Sequence, residues 1–393
     1  MRVPGIAHCL CMATFGALVA GGAGAADRPR ARDLGIPFPG QPGPLNAITD
    51  VAGVEVGYTT LIAGEGTLEV GKGPVRTGVT AILPRGRSGV SGVFAGYAVG
   101  NGNGEMTGTI WIEESGVLGT PVCITNTHSV GVVRDAVIDW MVRNGGTEQL
   151  WGLPVVGETW DGYLNDLNGF HVRPEHVFAA LDGARGGPVA EGNVGGGTGM
   201  HTFEFKGGTG TASRRVRVRG AGDYTVGVLV QSNFGRRWQL QVAGLPVGRE
   251  WPEDAPFTDE YGPTNELGSI IVVVATDAPL LPTQLKRVAA RASMGIARTG
   301  GMAGNGSGDI FLAFSTANAE AAGAEQGLQQ ATFLPNDRLD GLFEATVLAV
   351  EEAIVNAMVA ARTMTGVDGH RLVEIDHARL VEILRRHGRL EKR

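Results

Sequence analysis

The chain has 393 residues, 43% of them hydrophobic and 19% charged, which is enough to bury a large core in one domain or two. The 33 basic and 40 acidic residues leave a net charge of −7, and no basic stripe interleaved with aromatics runs through them, which argues against nucleic acid as a partner. The 63 glycines follow no collagen-like period, so they read as tight turns and close backbone approaches.

In chain order, residues 1–25 read as a secretory signal. Arg2 supplies the positive start, Cys9 to Ala20 an apolar run too short to span a bilayer, and Ala23-Gly24-Ala25 a small-x-small cleavage site. The expectation is an exported protein, periplasmic or secreted, with no membrane partner, since no later segment reaches about 18 uninterrupted apolar residues. Cys9 and Cys11 would leave with the signal, so Cys123 alone would remain and no intrachain disulfide is expected.

Residues 26–45 form an Arg-, Pro- and Gly-rich lead-in. Short apolar runs then predict strands at Val51–Tyr58, Val79–Leu83, Val90–Val99 and Met106–Ile112. Ser129–Arg143 predicts a helix, with Val130, Val133, Ala136, Val137, Trp140 and Met141 on one face. Pro154–Val156 reads as a strand and Val177–Ala180 as a helical turn. Gly192–Gly199 reads as a glycine-dominated loop, and Phe203–Phe205, Arg215–Arg219 and Tyr224–Gln231 as strands.

Residues 241–268 mix four prolines with acidic side chains and form the best linker candidate. Beyond them the pattern predicts strand Ile270–Ala275, helix Thr283–Ala297, strand Asp309–Ser315 and helix Leu342–Met364. A short strand or turn and a basic amphipathic helix follow between Leu372 and Leu390. Strands and helices come in blocks rather than strict alternation, which favours an α+β layered sandwich over a doubly wound parallel sheet.

Several familiar chemistries lack their motif. No glycine cluster satisfies G-x-G-x-x-G. Gly66-Thr67-Leu68-Glu69-Val70-Gly71-Lys72 opens like a phosphate-binding loop, but Gly73 stands where a magnesium-holding hydroxyl belongs. There is no G-x-S-x-G elbow and no H-E-x-x-H, and the eight histidines are scattered. His128 and His201 read as structural hydrogen-bonding residues. No metal or cofactor is expected.

What remains is a set of hydroxyl, amide and carboxylate residues in glycine-flanked turns. Gly268-Ser269 stands at the mouth of the strand Ile270–Ala275. If the chain cuts itself there, Ser269 gains a free α-amine that can serve as base to its own hydroxyl. In Asn305-Gly306-Ser307-Gly308-Asp309, Ser307 and Asp309 lie two apart and share a face at the start of a strand. Gln231-Ser232-Asn233-Phe234-Gly235 ends a strand with an amide suited to an oxyanion, and Gly157-Glu158-Thr159-Trp160-Asp161-Gly162 sets a carboxylate beside an aromatic, suited to an ammonium. Taken alone, each piece reads better as an ordinary feature, Gly268-Ser269 as the start of a strand and the other three as turns or an exposed loop.

Taken in order, these segments resemble the DmpA-type peptidases, the L-aminopeptidase/D-esterase and β-peptidyl aminopeptidase group of N-terminal nucleophile-like serine hydrolases. The resemblance runs from about Asp33-Leu34-Gly35-Ile36 to the final helix. It includes Asn126-Thr127-His128-Ser129-Val130-Gly131 and the run from Glu191 to Met200, besides the pieces around Asn233, Ser269 and Ser307. It implies a four-layer αββα sandwich, cut at Gly268–Ser269 into residues 26–268 and 269–393 that stay together as one catalytic domain, assembled as a homotetramer. It also implies that Ser269 is the nucleophile, that Ser307 and Asp309 support it, that Asn233 stabilises the oxyanion, and that Glu158 receives the substrate's amine. Trp160 stands where some members carry a tyrosine, which leaves open α-peptides with small L-residues, D-alanyl amides or esters, and β-peptides as substrates. An acyltransferase of related type, or a Gly-rich extracellular binding protein without activity, are the competing readings.

Overall fold

The run Ile270-Ile271-Val272-Val273-Val274 has no polar face, and such a strand needs apolar cover on both sides. The computed structural model, which describes residues 28–87, 92–145, 151–257, 267–323 and 326–391, provides it from two packed sheets and two helical layers. The signal reading at 1–25 and residues 258–266 of the linker reading lie outside the described residues.

The strands, in chain order, are β1 (Glu55–Ala63), β2 (Val75–Leu83), β3 (Val93–Gly102), β4 (Val117–Leu118), β5 (Val122–Asn126), β6 (Val155–Thr159) and β7 (His201–Thr202). They continue with β8 (Phe205–Lys206), β9 (Gly208–Val218), β10 (Gly222–Asn233), β11 (Leu267–Thr276), β12 (Gly306–Ser315), β13 (Met364–Thr365) and β14 (Arg371–Leu372). The helices are α1 (Thr109–Ser115), α2 (Val130–Gly145), α3 (Pro174–Asp182), α4 (Pro282–Ala290), α5 (Ala292–Arg298), α6 (Ala319–Gly323), α7 (Asp340–Ala360) and α8 (His377–Arg386).

A four-stranded sheet runs in the order β1-β2-β5-β6 and a six-stranded sheet in the order β4-β3-β12-β11-β10-β9. Both are mainly antiparallel, with one parallel pair each, β5–β6 and β11–β12. Ile271, Val273 and Ala275 of β11 pack with Leu229, Ile310 and Leu312 toward Ile82, Ile124 and Val155 of the smaller sheet. The alternate residues Ile270, Val272 and Val274 face α4 and α7 through Val288, Ala289, Val350 and Ala353. The outer face of the smaller sheet meets α2 and α3 through Val79, Cys123, Val133, Val137 and Val177. Period-two alternation thus divides the buried residues of each sheet between the layer shared by the two sheets and that sheet's own helical layer, and the layers run αββα.

Glycine makes this packing tight. A Cβ at Gly210 in β9 would lie 2.0 Å from Ala353 O of α7, and one at Gly57 in β1 would lie 2.0 Å from Ala180 O of α3. Helix backbone rests on strand backbone at both places.

Four expectations need correction. Met106–Ile112 is not a strand: Gly108 and Gly116, at φ +74° and +72°, bracket the short helix α1, of which Ile112 alone is buried. The helix expected at Thr283–Ala297 breaks at Arg291 into α4 and α5, and the one expected to reach Met364 ends at Ala360. The 241–268 stretch is no loose linker where it is described: Val242, Val247, Trp251 and Phe257 are buried, and residues 267–268 already belong to β11. Arg236 and Arg237 hold it by donating to the carbonyls of Phe257 and Glu253.

Candidate active site

At one end of the larger sheet, β10, β11 and β12 lie side by side, and their ladders bring three of the singled-out segments together. Ser269 pairs with Asn233 of β10 on one side and with Gly308 of β12 on the other, while Gly268 lies opposite Ser307. The cut site expected at the mouth of a strand is therefore inside one, since β11 begins at Leu267. Ser269 is buried. Its Oγ donates to Gly268 O at 2.6 Å and accepts the Gly308 N–H at 3.3 Å. A Cβ on Gly268 would lie 2.4 Å from Asn233 O, so the close approach of β10 and β11 at this bond requires glycine.

Ser307 and Asp309 flank Gly308, and both are buried. As their spacing predicts, they share a face: Ser307 Oγ donates to Asp309 Oδ1 at 2.5 Å. The end of β3 steadies this turn. Asn101 Nδ2 donates to Ser307 O and, at 3.2 Å, to Asn305 O, and Asn103 Nδ2 donates to Gly306 O at 2.9 Å.

Asn233 ends β10 with its carboxamide fixed at both ends. Its Oδ1 accepts the His201 N–H at 2.9 Å, and its Nδ2 donates to Trp160 O at 2.8 Å. The amide nitrogen carries two hydrogens, and Trp160 takes one of them. It is the carbonyl of Trp160 that meets Asn233. The indole lies over Gly162, where a Cβ would come within 2.7 Å of Nε1. His128 and His201 both make structural contacts, His128 stacking on Phe170 and His201 packing edge-on against Phe257.

Glu158 is the piece the smaller sheet contributes. It is the penultimate residue of β6, at 3% exposure, rather than standing in an open loop. Its Oε1 accepts the Glu105 N–H at 3.0 Å and its Oε2 the Thr127 hydroxyl at 2.5 Å. Burial pushes its carboxyl above the usual glutamate range, and those two hydrogen bonds oppose the shift. Gly104 separates this carboxylate from the ladder that holds Ser269. A Cβ there would lie 3.1 Å from Glu158 Oε1 and 2.9 Å from Gly308 Cα. The arrangement sets a buried hydroxyl, an amide donor and a carboxylate around the junction of two sheets.

Thr127, Gly104, Gln231 and the Trp160 carbonyl carry parts of this geometry that sequence reasoning gave no role. The signal available for Gln231 was its place two residues before Asn233, on the same face of one strand.

The sequence profile of peptidase family S58 matches residues 46–372 of the chain. The chain is 56% identical over 391 residues to the beta-peptidyl aminopeptidase BapA of Sphingosinicella microcystinivorans, a match covering 96% of this chain and 98% of that one. Among solved structures, the l-aminopeptidase d-Ala-esterase/amidase from Ochrobactrum anthropi is described as a prototype for the serine aminopeptidases and a variant among the Ntn hydrolase fold. It superposes with a TM-score of 0.86 at 50% identity, covering 93% of this chain and 100% of that one. A Burkholderia beta-aminopeptidase superposes with a TM-score of 0.83 at 49% identity, covering 91% and 99%.

Proposed function

The chain belongs to peptidase family S58 and is a serine aminopeptidase of the N-terminal nucleophile kind, and on that premise we propose that Ser269 is its nucleophile. The observation that carries this reading is the seat of Ser269 between Asn233 and Gly308, with its hydroxyl already on the carbonyl of Gly268.

Self-processing begins when Ser269 Oγ attacks the Gly268 carbonyl carbon. The C–N bond breaks, an ester joins Gly268 to Ser269 Oγ, and the α-amine of Ser269 is freed. Water then hydrolyses the ester, leaving a Gly268 carboxylate and a Ser269 hydroxyl with its own amine beside it. An α-amine titrates at about 7.7–8.0, so a useful fraction is neutral near neutral pH and takes the hydroxyl proton without any histidine. The Ser307–Asp309 pair orients that amine. Asn233 supplies its second amide hydrogen to the oxyanion, a contribution of about 3–4 kcal/mol for donors of this type. The leaving amine takes up the proton, and water releases the acyl group from Ser269.

Glu158 receives the substrate's free ammonium, which restricts the enzyme to N-terminal residues. The relatives' names make β-peptidyl amides the first substrate class to test, beside small L-aminoacyl and D-alanyl amides and esters. We further infer export, on the three-part pattern of residues 1–25, and assembly as a homotetramer, on the family resemblance.

The test is the intact mass of purified protein beside Ser269→Ala. The expected result is two fragments in the wild type, the smaller running from Ser269 to Arg393, and one inactive, uncut chain in the variant. A variant that is cut at Gly268–Ser269 would remove this hydroxyl from the processing step.

A further inference from the structure

Gln231 lies two residues before Asn233 on β10, so both side chains leave the same face of the strand, toward the smaller sheet. Its carboxamide is fully buried and crosses the gap between the sheets. Nε2 donates to Thr125 O of β5 at 3.0 Å and to Thr159 Oγ1 of β6 at 2.8 Å. Asn233 makes a parallel crossing to Trp160 O. The turn Gly195–Gly199 closes over the Gln231 amide, and a Cβ on Gly196 would lie 2.1 Å from Oε1, so the carboxamide is held in one place. Thr159 directly follows Glu158 in the chain.

The hydrophobic cluster that fills most of the layer between the sheets is built chiefly from Val, Ile, Leu and Ala side chains, with Met106 and Phe314. Apolar packing is non-directional and holds two sheets together without fixing their relative position finely, whereas a hydrogen bond restricts both distance and angle. The proposed chemistry is divided across this layer. Ser269, Asn233, Ser307 and Asp309 stand on the larger sheet and Glu158 on the smaller one.

We propose that Gln231 is a positioning residue that registers the ammonium-receiving carboxylate of the smaller sheet against the nucleophile of the larger one. The proposal rests on the roles of Ser269 and Glu158 given above. Self-cleavage involves no substrate ammonium, so the registration matters for peptide hydrolysis and not for processing.

The test uses Gln231→Met, which keeps the length of the side chain and removes both donors. Processing is followed by mass, and hydrolysis with an aminoacyl p-nitroanilide. Self-cleavage is expected within about threefold of wild type, while KM rises about tenfold and kcat falls less, the size expected from a lost hydrogen-bond pair. In a Glu158→Gln background the same substitution is expected to lower kcat/KM by less than about threefold, because the contact it tunes is already lost. Thr159→Val removes the hydroxyl acceptor while leaving Gln231 in place. It is expected to raise KM in the same direction, and it decides the matter should Gln231→Met fail to fold.

An unchanged KM in the folded variants, or a loss fully additive with Glu158→Gln, overturns the proposal alone. A wild-type chain that stays uncut, or a Glu158→Gln enzyme with wild-type KM, overturns the reading beneath it as well.

Discussion

Both oxygens of Glu158 accept hydrogen bonds within the protein, and this sets how the site responds to pH. Burial raises the carboxyl's pKa, and the Thr127 hydroxyl and the Glu105 N–H hold it down by favouring the charged form. Only the carboxylate attracts an ammonium, so on the role proposed for Glu158 binding is lost as pH falls through its pKa. Thr127→Val deletes one hydrogen bond to the charged form and leaves the burial unopposed on that side. The pH at which a non-hydrolysable amino alcohol loses its inhibition is expected to move up, because a hydrogen bond that favours the charged form is gone. An inhibitor is the right probe because its binding does not depend on the base role proposed for the Ser269 amine. An unmoved profile would take Thr127 out of the role. Ser269, Asn233, Glu158, Ser307 and Asp309 were legible in the sequence as candidates because each is a chemistry-bearing side chain next to a strand end, in a segment resembling a known family. Thr127 and Gln231 were not, because their partners are distant in sequence. Gln231 meets Thr125 across 106 positions, and nothing local announces such a contact.

Among the elements, the end of β3 has the greatest leverage on the site. Past Gly102 the chain carries Asn103 onto Gly306 O, Gly104 between Gly308 and Glu158, and the Glu105 N–H onto Glu158. One turn therefore touches both halves of the proposed machinery. Gly104→Ala places a methyl 2.9 Å from Gly308 Cα, a backbone atom that cannot rotate away. The turn must lift, and overpacking of this kind costs about 1–3 kcal/mol. The expected outcome is a fall in kcat/KM of about ten- to a hundredfold, with slower appearance of the Ser269 N-terminus in a time course by mass. Wild-type rates for both would show that the turn yields without consequence. At this scale the sequence was partly readable. Long apolar strands such as β11 and one-faced helices such as α2 declared themselves by period. The five-residue β5 did not, although it lies between β2 and β6. The apolar run ending at Ile112 misled because its two flanking glycines, which set the helix, read equally well as strand punctuation.

Across the whole molecule, the proposed cut divides a sheet in which strands of the two pieces interleave. The second piece contributes β11 from Ser269 onward, together with β12, and these lie between β3 and β10 of the first piece. Sheet order of this kind cannot be read from alternation, which is why the block pattern predicted layers but not the interleaving. The core on the helical side is equally shared. Val226, Val228 and Val230 come from the first piece and Val272, Val350 and Ala353 from the second, and each such side chain is worth about 1.5–3 kcal/mol when buried. Glu352 of α7 is fully buried in the second piece, and its partners Arg32 and Arg214, at 2.8 and 2.7 Å, belong to the first. Separation would strand that carboxylate without its cations, and breaking a buried pair by removing its partner costs about 3–5 kcal/mol. The processed protein is therefore expected to elute from a non-denaturing sizing column as one species holding both chains in equal amount. The chains are expected to part only at denaturant concentrations that also abolish its near-ultraviolet circular dichroism. A free second piece appearing in plain buffer would mean that the continuous backbone at Gly268–Ser269, and not the interleaved sheet, holds the molecule together.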